Sequence, residues 1–157
     1  MFAGRRFPEA FALVVLLANA VLILVSYHSL PAMVPTHFGA RGDPGRYGAR
    51  WTVWMTFAFS AVMYLVLSAT ARIPIQYTNL PVKLTDENRG RIAVLVREMI
   101  SWVKAWVQVI AYTLTAMVIR AAETSRPQFA LTMIEYAVTF ALLATCGIYA
   151  IRMRRAA

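Results

Sequence analysis

Residues Ala10 to Tyr27 form 18 consecutive positions without a formal charge, and Trp51 to Ala71 form 21. A helix of about 20 apolar residues, rising 1.5 Å each, crosses the roughly 30 Å hydrocarbon core of a bilayer. In that core every backbone N–H and C=O must be paired within the segment, which restricts such runs to helices. Two later stretches, Ala105–Ile119 and Tyr136–Ile151, reach spanning length once Lys104 and Glu135 near their starts are included. The chain therefore reads as all-α: an integral membrane four-helix bundle, one domain over 1–157, with spans at about 8–27, 51–71, 101–120 and 128–151.

Composition excludes a water-soluble domain. Hydrophobic residues make up 60% of the chain and charged ones 15%, against about 25% charged in soluble domains. Arg5 and Arg6 precede the first run as they would in a secretory signal. The run exceeds the usual apolar stretch of about 7–15 residues, however, and is expected to be retained. The single cysteine, Cys146, lies within an apolar run and leaves no internal disulfide.

Sixteen Lys and Arg face seven Asp and Glu, a formal charge of +9. In a soluble chain this would point to nucleic acid. Beside apolar spans it fixes orientation and meets anionic headgroups instead, so a lipid bilayer with anionic headgroups is the expected partner and nucleic acid is not. One side of the membrane carries eleven basic residues: Arg5, Arg6, Arg72, Lys83, Arg89, Arg91, Arg97, Lys104, Arg152, Arg154 and Arg155. The other carries five: Arg41, Arg46, Arg50, Arg120 and Arg126. The positive-inside bias places both termini and the 72–100 segment in the cytoplasm, with 28–50 outside. A multi-pass protein of the bacterial cytoplasmic membrane is expected.

The outer loop holds four of the seven glycines and three of the seven prolines. Glycine allows positive φ and proline fixes φ, so the loop is expected to be a defined series of turns. Its candidate binding residues are Pro35, Thr36, His37, Phe38, Arg41, Gly42, Asp43 and Pro44. His37 and Asp43 suit either a hydrogen-bonded pair or weak metal ligands, since a carboxylate can fix the imidazole tautomer. The alternative is that His37 caps a turn while Asp43 pairs with a neighbouring arginine. Two ligand types six residues apart fall short of the about four that a closed metal site needs.

On the cytoplasmic side, Thr85 can cap a helix through Asp86–Ser101, with Asp86 and Glu87 in its first turn and Asn88 where a capping box wants Glu or Gln. Ile92, Leu95, Val96 and Met99 recur at helical spacing opposite Arg89, Arg91 and Arg97. This describes a basic amphipathic helix running into the third span. Before it, the stretch 73–84 with its two prolines is expected to be ordered but not helical.

Within the spans, ionisable and polar residues are costly and become functional candidates by default. They are Asn19, Lys104, Gln108 and Glu135. Arg97, Ser101, Lys104, Gln108 and Thr115 form an inward stripe on the third helix, although Lys104 is expected to snorkel to the inner headgroups. Thr52, Thr56, Ser60, Tyr64 and Ser68 make a small-residue ridge on the second helix. Glu135, with Thr132, Tyr136 and Thr139 around it, reads as interhelical glue, a partner of Arg120 or Arg126, or a proton or cation site. Asn19 is expected to bond a neighbouring helix or a second copy of the chain.

The segment "LPAMVPTHFGARGDPGRYGAR" before an apolar span resembles the bacterial domain-of-unknown-function family sixteen forty-eight. The resemblance falls on Leu30, Pro31, Pro35, His37, Phe38, Gly42 and Pro44. A second landmark, "YTNLPVKLTDENRG", places the inner-loop motif on Asn79, Pro81, Thr85 and Asn88. The same domain forms the front of SdpI-type membrane proteins, which protect a bacterium from its own secreted peptide toxin. The resemblance therefore implies a non-enzymatic immunity or accessory role, with a peptide or protein partner bound by the outer loop. Two other readings stay open. One is a small permease or ion pathway, as a homo-oligomer, using Glu135 and the third-helix stripe. The other is a membrane enzyme or metal protein at His37 and Asp43. No nucleophile–base pair, phosphate loop or metal motif supports the latter, and no cofactor is expected.

Overall fold

The computed structural model describes residues 3–157, with the side chains of the first helix given from Arg6 onward. Arg5, counted above among the basic residues, has its side chain outside this range. The helices are α1 (Ala3–Ser26), α2 (Val53–Thr70), α3 (Arg89–Thr124) and α4 (Phe129–Ala156). All four are long and apolar enough to cross a membrane. The all-helical architecture carries one small addition, an antiparallel hairpin of β1 (Met33–Pro35) and β2 (Tyr47–Ala49) between α1 and α2.

The third span and the basic amphipathic segment are one uninterrupted helix of 36 residues, about 54 Å long and well beyond the hydrocarbon thickness. The turn that leads into it is closed by reciprocal bonds: the Thr85 amide donates to Asn88 Oδ1 at 2.9 Å and the Asn88 amide to Thr85 Oγ1 at 3.3 Å. Asparagine thus fills the capping-box position usually held by Glu or Gln. At the far end Ser125 takes the left-handed conformation, φ 53°, and its amide returns to Ala121 O at 2.9 Å. Such a cap stops a helix abruptly and turns the chain into α4 within four residues. The proline-bearing stretch before α3 contains one helical turn, Ile75–Tyr77, where the sequence suggested none.

Helix α3 is the centre of the bundle and packs against α1, α2 and α4, while α1 and α2 touch each other only lightly. It runs parallel to α1 and antiparallel to the other two. Two apolar clusters mark its ends. At the hairpin end Ile23, Leu30, Val34, Val53, Val118 and Ile119 pack together. At the opposite end Ala71, Ile92, Val96, Ile100, Tyr149 and Met153 do so. The outward faces are apolar too: Val14, Phe59, Leu65 and Phe140 are all more than half exposed. A bundle surrounded by lipid needs no polar exterior, and the polar side chains are free to gather inside.

Candidate functional site

The hairpin is a cap over one end of the bundle. Its strands register Met33 with Ala49, Val34 with Gly48 and Pro35 with Tyr47. Beyond them the pairing continues through Thr36 N–H to Arg46 O at 2.7 Å and Gly45 N–H to His37 O at 2.8 Å. Alternation sends Val34, fully buried, down among Ile23, Val53 and Val118, with Phe38 packed beside it. Pro35 is also buried. Thr36, His37, Arg41, Asp43, Arg46 and Tyr47 stay exposed, and Pro44 is half-buried.

The tip of this hairpin is fastened to α4. Gly42 O accepts from the Gln128 amide at 3.0 Å, and Ala40 O accepts from the Tyr136 hydroxyl at 3.1 Å. Gly42 sits at φ 79°, and a Cβ there would stand 2.5 Å from Thr132 Oγ1 and 2.9 Å from the Gln128 carbonyl carbon. Only glycine meets both the left-handed backbone and this close approach. At the other end of the loop Arg50 Nη1 donates to Leu30 O at 3.3 Å, and its guanidinium lies 4.9 Å from the centre of the Tyr27 ring.

His37 and Asp43 are not brought together. Among the described residues neither side chain has a hydrogen bond or ion pair, so neither the pair, nor the turn cap, nor the Asp–Arg bridge forms. The physical reason is that backbone groups close these turns themselves: Gly39 N–H bonds Asp43 O at 2.8 Å and Gly42 N–H bonds Gly39 O at 2.9 Å. No group of three or more His, Cys, Asp and Glu that could hold a metal occurs among the described residues.

The interior holds a polar seam where α3 faces α1 and α2. Lys104 is 1% exposed, with its Nζ 2.8 Å from Glu9 Oε2 and 2.9 Å from Ser68 Oγ, and 4.8 Å from the Tyr64 ring centre. This corrects the snorkelling expectation: the ammonium is drawn inward because a carboxylate, a hydroxyl and an aromatic face replace its hydration there. Ser101 Oγ donates to the other carboxylate oxygen of Glu9 at 2.7 Å. Gln108 Nε2 donates to Ser60 O at 3.0 Å, and the Thr56 and Thr115 hydroxyls lie 2.7 Å apart. The ridge on α2 is therefore more than a surface for close approach, since it meets the α3 stripe rung by rung. Arg97, counted in that stripe, is exposed and outside the seam.

Asn19 is 1% exposed and its side-chain amide has no partner among the described residues. Among the described residues it therefore bonds no neighbouring helix. Glu135 lies on a different side of α3, where its Oε1 accepts from Thr113 Oγ1 at 2.6 Å. Arg120 and Arg126 are exposed and make no ion pair with it among the described residues. Thr132 beside it is buried, while Tyr136 and Thr139 face outward. Glu135 and the stripe thus do not share one cavity.

Glu9 was missed by sequence reasoning. The available signal was a lone carboxylate opening the first apolar run, which needed a cation from another span. In the inner-loop motif, Asn88 is 1% exposed and also donates through Nδ2 to Lys83 O at 3.1 Å, so it ties the loop to the helix start. Thr85 bonds Asn88 across the turn that leads into α3, and so does not cap the helix itself, which begins at Arg89, whereas Asn79 and Pro81 are exposed.

Fold and site together define a helical membrane-type bundle capped by a β-hairpin, with a buried ion pair at its uncapped end. Residues 14–61, which take in the second half of α1, the hairpin and the first half of α2, match the domain of unknown function DUF1648. An uncharacterized protein of Archaeoglobus fulgidus is 34% identical over 81 residues. That match takes in 43% of this chain and 44% of the relative, so the chain spans less than half the length of the protein it resembles. No solved structure matches it.

Proposed function

We propose that this protein is a non-enzymatic, multi-pass protein of the cytoplasmic membrane that presents its hairpin outside the cell as a rigid face for a peptide or protein partner. The observation that carries this reading is the contrast within the hairpin: its tip is fastened to α4 and its apolar side is buried, yet among the described residues the side chains of His37, Arg41, Asp43 and Arg46 are exposed and make no hydrogen bond or ion pair. A surface fixed in advance binds without the entropic cost of ordering a loop. Arg41 and Arg46 give the face positive charge, and exposed Met33, Tyr47 and Trp51 flank it with apolar and aromatic anchors of the kind that concentrate binding energy.

The orientation rests on charge. With Lys104 withdrawn into an ion pair, ten basic residues remain at the end that carries both termini, against five at the hairpin end. The domain match falls on the hairpin and the two helix segments beneath it, which agrees with this loop being the working part. Immunity to a secreted peptide toxin is the specific form that the SdpI resemblance implies. The polar seam taken alone would favour an ion pathway, but the apolar cluster of Ile23, Val53, Val118 and Ile119 at its hairpin end argues for the partner-binding reading.

The test is photocrosslinking from a benzoyl-phenylalanine placed at His37 in living cells. A discrete adduct should form and be lost in the Asp43→Ala and Arg46→Ala variants at equal membrane levels. An adduct unaffected by both changes, or none at all, counts against the reading.

A further inference from the structure

Among the described residues, three buried polar atoms of the seam have no hydrogen-bond partner: Asn19 Nδ2, Asn19 Oδ1 and Gln108 Oε1. Both residues are 1% exposed. An amide enclosed in this way is normally completed by another group, and more so in an apolar span that offers no alternative. One donor group and two acceptors are the complement of water, which gives and takes hydrogen bonds.

The heights of these groups follow from the helix register. The Glu9 contacts with Ser101 and Lys104 fix α1 against α3 at one end, and Ile23 meets Val118 and Ile119 at the other. Asn19 then stands about 15 Å along α1 from Glu9, and Gln108 about 6–10 Å along α3 from the same pair. The Thr56–Thr115 hydroxyls follow at about 16–21 Å. The side chains buried along these helices include the small Ala12, Ala105 and Ala111. At the lower end the Glu9 side chain is 28% exposed, while at the upper end the apolar cluster under the hairpin closes the row.

We propose that Asn19 and Gln108 bind water inside the bundle, in a blind-ended polar column that enters beside the Glu9–Lys104 pair and stops at Thr56 and Thr115. This does not depend on the partner-binding reading of the hairpin.

The test uses silver ion, which is close to water in size, on Ala111→Cys and Asn19→Cys in a Cys146→Ala background. Sealed vesicles of each orientation are exposed to silver, then denatured and labelled with maleimide. Silver from the Glu9 side should protect both cysteines at least ten-fold faster than a cysteine at lipid-facing Val14, and silver from the hairpin side should not. Rates no greater than the Val14 control, or equal from the two sides, overturn the proposal.

Discussion

Lys104 Nζ lies 2.8 Å from Glu9 Oε2, joining residues 95 apart in the chain across two parallel helices. Lys104 is enclosed while Glu9 keeps a partial opening to the end of the bundle. Removing the Glu9 charge leaves the enclosed Lys104 ammonium without its carboxylate, which costs about 3–5 kcal/mol. Glu9→Gln should therefore destabilise the protein strongly, and Lys104→Met more mildly, because the Glu9 side chain is 28% exposed and keeps its bond from Ser101. The double variant should recover much of the loss. Unfolding in mixed detergent across the four proteins checks this, and strictly additive effects would count against the pairing.

Gly42→Ala should undock the hairpin tip. The left-handed φ alone costs on the order of 1 kcal/mol, and the collision with Thr132 and Gln128 adds to it. Hydrogen exchange at the Gln128 amide should speed up, since its acceptor is Gly42 O. Gly39→Ala is the control, because a Cβ there meets only ordinary contacts at 3.6 Å. Equal exchange in both variants would refute the latch.

Glu135→Gln keeps an oxygen to accept from Thr113, and that hydroxyl also reaches Val109 O at 3.0 Å and Ile110 O at 3.1 Å. Stability should change by less than about 1 kcal/mol, the scale of interhelical hydrogen bonds in membranes. A larger loss in thermal unfolding would mean that Glu135 has a partner beyond Thr113.

Orientation can be read with reporters. Alkaline phosphatase inserted between Gly45 and Arg46 should be active, and green fluorescent protein fused after Ala157 should fluoresce. The opposite pattern would reverse the inside-outside assignment.

The helical architecture was legible because bilayer thickness leaves so few solutions for long uncharged runs. The inward stripe was legible too, since a period of about 3.6 places Ser101, Lys104, Gln108 and Thr115 on one face. What escaped were relations between helices. Glu9 is unremarkable until α1 is set beside α3. Asn19 is a lone polar residue whose lack of a partner appears only when its neighbours are known. His37 and Asp43 looked like a pair because they are near in sequence, but hairpin bonds made by the backbone leave their side chains apart. In the sequence Gly42 reads as a turn residue, and its second role, admitting α4 to close range, involves Thr132, 90 residues away in the chain.

The fastening of Ala40 to Tyr136, 96 residues later, also sets an order of events during biosynthesis. At about 5–20 residues per second, the ribosome needs on the order of 5–20 s to make the intervening chain. During that interval the hairpin has been synthesised while its anchor does not yet exist. The loop can acquire its final shape only when the last helix has inserted, so a truncated or misinserted copy would carry an unfastened loop and could be distinguished from a finished one at the membrane surface.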